Sequence, residues 1–430
     1  MKKNLLILFT TLLCAIAAAL LWKYMQPVPP RLLPTDHHTG SPPSADTPFA
    51  EYLAQTRAMI VDVHQTMPHK KTLDKELLEF SIEANAPFEI PPSSQCPKVN
   101  GKAEKGILLV HGLTDSPYSM VALGKHLAQR CFLVRTVLLP GHGTVPGDLL
   151  DIDYQQWIGT VEYGLHQLNQ DAHQVFMGGY STGGTLAIQQ ALEGMTPLQG
   201  LILIAPAIAI DSPFARALPA VTRLASWLRK ADDADLVKYE SFAFNAALQV
   251  QRLIEHNQML LHHRPVSVPL FIAATADDAT VSTWHTQQFF AEQAPHPHSR
   301  LLLFQKSQTD SFDAEQRTWV FNSYLPQQNI YHFSHISLPY PPDDPHYGKD
   351  GRYRNCLHYS DADDVKRCRK SFNAWSGEVF IRDSKQGYAL RRLTYNPRFD
   401  DMLNQIDKWL ELFDQQETPP PSTARESVSG

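Results

Sequence analysis

Gln174-Val-Phe-Met-Gly-Gly-Tyr-Ser-Thr-Gly-Gly-Thr-Leu-Ala-Ile188 is the stretch on which the reading of this chain turns. It opens as an apolar run, and from Thr182 to Glu193 the apolar residues recur at helical spacing, so it predicts strand, sharp turn, helix. The turn carries Gly179-Tyr180-Ser181-Thr182-Gly183, a G-x-S-x-G match. Such a match is common by chance, and its weight comes from the context. A serine held on a strained strand-to-helix turn needs neighbours without a Cβ atom, and the turn lifts Oγ above the sheet at a helix N-terminus. The plain alternative is a glycine-rich turn with an incidental serine.

Outward from this turn, short apolar runs alternate with longer amphipathic stretches. Gly106 to Val110 predicts a strand that ends in His111-Gly112, and Pro117 to Arg130 a helix. Cys131 to Val134, continuing through Val137 to Leu139, predicts the next strand, closed by Pro140-Gly-His-Gly143. Trp157 to Leu168 reads as a helix, and Leu201 to Ile204 and Pro269 to Ile272 as further strands. Leu301 to Phe304 also has strand character, and Gln328 to Phe333 reads as the last strand, which makes Gln305 to Gln327 an insertion. Apolar strands without polar alternation are buried on both faces. The fold class is therefore α/β, a mostly parallel sheet with helices on both sides. Ligands bind outside the carboxyl ends of such strands, where the unusual residues of this chain fall. There His111-Gly112-Leu113-Thr114 closes one strand, and the backbone N–H groups of Leu113 and Thr182 would be the donors of an oxyanion hole. His111 itself reads as a residue that holds the loop.

His111-Gly-Leu, Leu139-Pro-Gly-His-Gly143 and Gly-Tyr-Ser181-Thr-Gly, in this order and spacing, resemble the α/β-hydrolase superfamily, in particular its carboxylesterase, monoacylglycerol lipase and lysophospholipase-like members. The resemblance covers about residues 104–340 and implies a serine mechanism in the order Ser, acid, His. Ser181 would be the nucleophile. The acid would come from Thr275-Ala-Asp-Asp-Ala-Thr-Val281, where either Asp277 or Asp278 fits. Val281, three positions after Asp278, matches the family's D-x-x-V turn and favours Asp278. The general base would be His335, just past the last strand, with His332, His346 and His358 as the other histidines in reach. The stretch between strands, about 211–268, resembles a cap whose apolar residues would exclude water and select the acyl chain. Its helical periodicity lies in Leu218–Leu228 and Phe242–Leu261, and Phe214, Leu218, Trp227, Phe242 and Phe244 are the wall candidates. Pro397 to Phe413 reads as a closing amphipathic helix. Residues 49–103 and those after about 345 depart from the minimal fold, so the resemblance assigns them no role.

The ends address the compartment. Met-Lys-Lys precedes an apolar run from Leu5 to Trp22, whose 18 residues would extend about 27 Å as a helix, near the thickness of a bilayer core. We expect residues 1–25 to be an uncleaved membrane anchor with the rest of the chain outside; a cleaved signal peptide is the alternative. Residues 26–48, rich in Pro, Ser, Thr and His, read as an extended tether, and 416–430 as a disordered tail, leaving a hydrolase domain over 49–415. Of the five cysteines, Cys96, Cys131, Cys356 and Cys368 lie in the folded part. An exported chain permits disulfides, with Cys96–Cys131 and Cys356–Cys368 favoured over four buried thiols. With 44 acidic against 38 basic side chains and a net charge of −6, the chain has no electrostatic footprint for nucleic acid. The histidine pairs lack zinc-ligand spacing and there is no phosphate-binding loop, so no metal and no cofactor are expected. The expected partners are a small-molecule or lipid ester and, through the N-terminal segment, the membrane. The rival readings are transfer of the same acyl group to an alcohol or amine, and a non-catalytic binding module on the same fold.

Overall fold

A computed structural model describes residues 27–36, 42–68, 70–210, 218–307, 309–371, 373–378 and 389–414. Its elements, in chain order, are α1 (Phe49–Thr66), α2 (Lys75–Asn85), β1 (Lys102–Val110), α3 (Val121–Gln129), β2 (Phe132–Val137), α4 (Tyr154–Asp171), β3 (Ala172–Tyr180), α5 (Thr182–Glu193), β4 (Leu201–Ile204), α6 (Phe244–Leu261), β5 (Leu270–Thr275), α7 (Thr283–Gln293), β6 (Arg300–Gln305), β7 (Ser311–Asp313), β8 (Thr318–Asn322), α8 (Ala362–Lys370), β9 (Trp375–Gly377), β10 (Leu390–Arg392) and α9 (Phe399–Asp414).

The sheet runs in the order β2-β1-β3-β4-β5-β6-β8, all parallel, with antiparallel additions at both edges: Glu89–Ile90 on β2 and β7 on β8. Within β1, Ile107 and Leu109 belong to one buried cluster and Leu108 and Val110 to the other, so each face of the strand carries a core. The first face is covered by α3 and α9, whose Met402, Ile406 and Trp409 are fully buried, and the second by α4, α5 and α6. This two-sided burial is why the strands read as unbroken apolar runs. The chain leaves β1 toward one edge and β3 toward the other. That puts the topological switch point at the adjacent carboxyl ends of β1 and β3, where the His111 and Ser181 turns lie side by side.

Three sequence expectations change. Gln328 to Phe333 is not a strand; Ile330 makes isolated bridges to Leu325 and Ser376, and the parallel strand beside β6 is β8, inside the stretch expected to be an insertion. Thr318-Trp-Val-Phe321 alternates only weakly, so its pairing comes from tertiary contact. Leu218–Leu228 forms one helical turn, Leu218–Val221, followed by a short strand from Trp227 to Arg229, while Phe242–Leu261 is helical from Phe244. The helix α6 packs against α5 as a connecting helix of the sheet: Asn257 donates to the Thr185 carbonyl at 2.8 Å. Lastly, the described part of the proline-rich tether lies along the domain. Leu32 is 2% exposed, Arg31 pairs with Asp233 at 2.6 Å, and the Thr35 amide donates to Asp148 at 2.6 Å. These nonlocal contacts offset the ordering cost that composition alone suggests.

Both expected disulfides, Cys96–Cys131 and Cys356–Cys368, are formed. The segments outside the minimal fold act as braces. In α1, the Tyr52 hydroxyl accepts the Leu138 amide at 2.9 Å and His64 lies 3.0 Å from the Gly143 carbonyl, holding the turn after β2. In α2, Asn85 donates to the Leu236 carbonyl. From the other side His346 and Tyr347 bond Asp235 and Tyr353 bonds Glu240, so residues 233–241 are clamped between the two extensions. Among the described residues no helix is long and apolar enough to cross a membrane. The apolar run from Leu5 to Trp22, Phe214 and the tail 416–430 lie outside the described residues.

Candidate active site

Ser181 follows β3 and immediately precedes α5, with φ +54° and ψ −115°. A side chain rarely takes a positive φ, and holding one there costs about 1–3 kcal/mol. The surroundings enforce it. The Ser181 amide donates to the Ile204 carbonyl at 2.9 Å, and its carbonyl accepts from the amides of Gly184, Thr185 and Ala207. Glycine is required on both sides: a Cβ on Gly179 would lie 2.2 Å from the Gly183 carbonyl carbon, and one on Gly183 would lie 2.1 Å from the Val110 oxygen. The serine is 8% exposed.

His335 and Asp278 meet it. The Asp278 side chain is 1% exposed, and its Oδ1 accepts the amides of Thr280 and Val281 at 2.8 and 2.9 Å. That is the physical content of the D-x-x-V spacing: one carboxylate oxygen closes its own turn and the other is free to face outward. Oδ2 lies 2.6 Å from His335 Nδ1, and His335 Nε2 lies 3.0 Å from Ser181 Oγ. A carboxylate only accepts, so Nδ1 carries the proton and Nε2 is left to accept from the serine hydroxyl. The alternatives sit elsewhere. Asp277 is half-buried and faces His332 and Lys306. His332 Nδ1 accepts the Glu378 amide, His346 bonds Asp235, and His358 lies against Tyr359 with ring centres 4.2 Å apart.

The second half of the site is the loop after β1. The Leu113 and Thr182 amides donate to no protein acceptor among the described residues, and Thr182, first in its helix, has no helical carbonyl four residues back to receive its proton. Gly112 lies flat against the serine turn; a Cβ there would sit 3.2 Å from Ser181 Cβ. His111 and His142 fix this loop. His111 Nδ1–H donates to the Gly112 carbonyl at 2.8 Å and its Nε2 accepts the Leu139 amide at 3.1 Å. His142 Nδ1–H faces the Leu139 and Pro140 carbonyls, and its Nε2 accepts the Thr114 amide at 3.1 Å. Both rings are thus neutral with the proton on Nδ1. Burial holds His111 well below the usual range, aided by His142, and pushes His142 down to about 4. Tyr239, from the clamped segment, donates its amide to the Thr114 carbonyl at 2.8 Å and stacks on His142.

Three residues of this site escape a reading of the sequence. His142 stands inside the Leu139–Gly143 turn, and the signal for its role was its placement at a strand end. Glu378 and Arg392 lie in the C-terminal extension, 43 and 57 positions beyond His335, with no local pattern to mark them. Glu378 Oε2 accepts the His335 amide at 3.2 Å, and Arg392 pairs with Glu378 at 2.8 Å. Of the wall candidates, Leu218 is buried and Trp227, Phe242 and Phe244 are half-buried.

Residues 101–231 match the family described as Serine aminopeptidase, S33. The chain is 31% identical over 182 residues to the thermostable monoacylglycerol lipase of Bacillus sp. (strain H-257), a match spanning 41% of this chain and 71% of that one. It is 26% identical over 100 residues to a carboxylesterase of Bacillus subtilis (strain 168), spanning 23% and 40%. Among solved structures, one of the metagenome-derived lipolytic enzymes LipS and LipT aligns over 53% of this chain and 93% of its own, at 22% identity and a TM-score of 0.43.

Proposed function

On the premise that this chain belongs to the α/β-hydrolase family of carboxylic ester hydrolases, we propose that it cleaves its ester through an acyl-enzyme formed on Ser181. The reading is carried by the unbroken hydrogen-bonded run from Ser181 Oγ through the His335 ring to the Asp278 carboxylate. His335 Nε2 takes the hydroxyl proton as Oγ attacks the carbonyl carbon. The oxyanion that develops is received by the amides of Leu113 and Thr182, donors already aimed and without reorganisation to undergo. The imidazolium, steadied by Asp278, returns its proton to the leaving alcohol, and water repeats the sequence to release the acid.

The substrates proposed are esters of medium or long acyl chains, monoacylglycerols or lysophospholipids foremost. The similarity to a monoacylglycerol lipase and the apolar residues of the 218–244 stretch support this. The two disulfides favour an oxidising compartment, and with the apolar N-terminal run they support an enzyme held at the membrane with its domain outside.

Initial rates on p-nitrophenyl esters from two to sixteen carbons test both parts. Ser181→Ala should lose about three or more orders of magnitude. Rates should climb with acyl length to a maximum; highest rates on acetate, falling steadily with length, would remove the long-chain assignment. A mutant as fast as the wild type would overturn the triad.

A further inference from the structure

His335 does not stand on a sheet strand. The stretch that carries it is stitched to the C-terminal extension: the Tyr331 amide donates to the Ser376 carbonyl at 2.9 Å, the Ser376 amide to the Asn329 carbonyl at 2.8 Å, and Ser334 Oγ to the Leu393 carbonyl at 2.6 Å. Ser376 lies in β9 and Leu393 directly follows β10, and the two strands pair in parallel with Gly377 opposite Arg392. From this ribbon Glu378, 2% exposed, reaches under both functional loops. Its Oε2 accepts the His335 amide at 3.2 Å and lies 3.4 Å from the Ala279 amide, next to Asp278. Arg392 pairs with the same carboxylate at 2.8 Å and donates to Thr280 Oγ1 at 2.8 Å, within the turn that Asp278 closes.

We propose that Glu378 and Arg392 are positioning residues: one buried ion pair, supplied by the extension, that fixes the distance between the loops of Asp278 and His335 and balances the charge beneath them. The inference rests on the Ser181–His335–Asp278 reading. Neither residue touches the reacting atoms. Their effect is exerted through two backbone amides and one hydroxyl, and a displacement of the order of 1 Å in such a framework is enough to cost about 100-fold in rate. The charge balance is local. Arg392 is faced by Glu378, Tyr180 and Asp278, with His358 and Arg229 also within its field. Tyr180 is kept neutral by its burial, and beyond the Glu378 backbone stand His332, Asp277 and Lys306.

The test is a set of single substitutions, with kcat expressed per site titrated by a fluorophosphonate and kcat/KM followed against pH. Glu378→Gln leaves Arg392 as an unbalanced cation, which disfavours the imidazolium, so the acid limb should move to lower pH by about half a unit. Arg392→Met leaves the anion and should move it to higher pH by a similar amount. In both, kcat should fall about tenfold or more with KM nearly unchanged. Asp277→Asn, run alongside, takes the neighbouring Asp277 carboxylate out of the profile. Structural damage alone moves both limbs the same way or neither, so opposite shifts support the proposal, and wild-type kcat with unmoved profiles would overturn it. If Glu378→Gln does not fold, the double variant Glu378→Met/Arg392→Met leaves no orphan charge and should show the kcat loss with little shift; wild-type kcat there is equally fatal. If the fluorophosphonate fails to label Ser181 in the wild type, the triad reading itself is wrong and this proposal falls with it.

Discussion

The two sides of this site are built in different ways. The serine side is local: Gly179, Gly183, Ser181 and the His111–Thr114 loop lie at the ends of two adjacent strands, and backbone contacts at those ends force Ser181 to φ +54°. The histidine side is remote. His335 sits on an irregular stretch whose bonds run to Ser376, Glu378 and Leu393, and Asp278 reaches the same brace through Arg392 and Thr280. A turn encoded by its own glycines stays in shape wherever the sheet forms. An arm held by an extension depends on that extension.

The sharpest way to break the histidine side is at the acid. Asp278→Asn keeps the size and both turn bonds but presents the wrong group to Nδ1, and the loss expected in kcat is about three to four orders of magnitude. Asp277→Asn should leave kcat within about twofold, because Asp277 faces His332. Rates near wild type in the first variant, or the large loss in the second, would exchange the two assignments. On the serine side the corresponding change acts on folding. Gly183→Ala puts a methyl group 2.1 Å from the Val110 oxygen, and only separation of α5 from β1 relieves it. Denaturant melts should show a loss of about 4 kcal/mol or more.

This difference also decides what could be read in the sequence. The strand–turn–helix around Ser181, the placement of the His111–Thr114 loop and the Asp278 turn are set by residues within three or four positions of one another, and these positions were legible. The terminal strand was not. Gln328 to Phe333 has the apolar content of a strand, yet the place beside β6 is taken by Thr318–Asn322, whose pattern is no stronger, and Ile330 is left to bridge to Ser376. The Leu218–Leu228 periodicity failed in the same way, its second half drawn into pairing between Trp227 and Ala243. Glu378 and Arg392 could not be found at all: a buried ion pair formed across 14 residues and aimed at a loop some 40 positions upstream leaves no periodic trace.

The two disulfides sharpen the comparison, since only one of them lies beside the arm. Cys96–Cys131 closes 35 residues at the amino end of β2, opposite the end of the sheet that carries the site. Cys356–Cys368 closes 12 residues beside the arm: Cys368 contacts the Leu390 carbonyl, and the Asn355 carbonyl accepts the Arg392 amide at 3.1 Å. By chain entropy the first contributes about 4 kcal/mol and the second about 3. Removing each as a pair of alanines should therefore lower Tm more for Cys96/Cys131. The kcat per titrated site should fall only for Cys356/Cys368. Equal kcat losses in the two variants would show that the arm is not held by its own extension.

Acid should loosen the serine side. His142 holds the Thr114 amide through an unprotonated Nε2, and burial pushes its pKa down to about 4 in the folded chain against about 6.5 unfolded. Between those values the unfolded chain binds a proton that the folded one refuses. The stability this group contributes is therefore complete above pH 6.5 and is lost as pH falls toward 4, by at most about 3 kcal/mol. Protonation would turn Nε2 into a donor facing the Thr114 N–H, so the strain appears first in the loop that carries the Leu113 amide. Hydrogen-exchange protection of residues 111–116 should drop between pH 7 and 5 more than that of 329–331, whose amides donate to backbone carbonyls. His142→Gln should flatten the pH dependence of unfolding over the same range at the cost of a lower Tm at pH 7. Equal loss of protection on the two sides would mean that the loop and the arm open as one unit, and the division between them would fail at the level of dynamics.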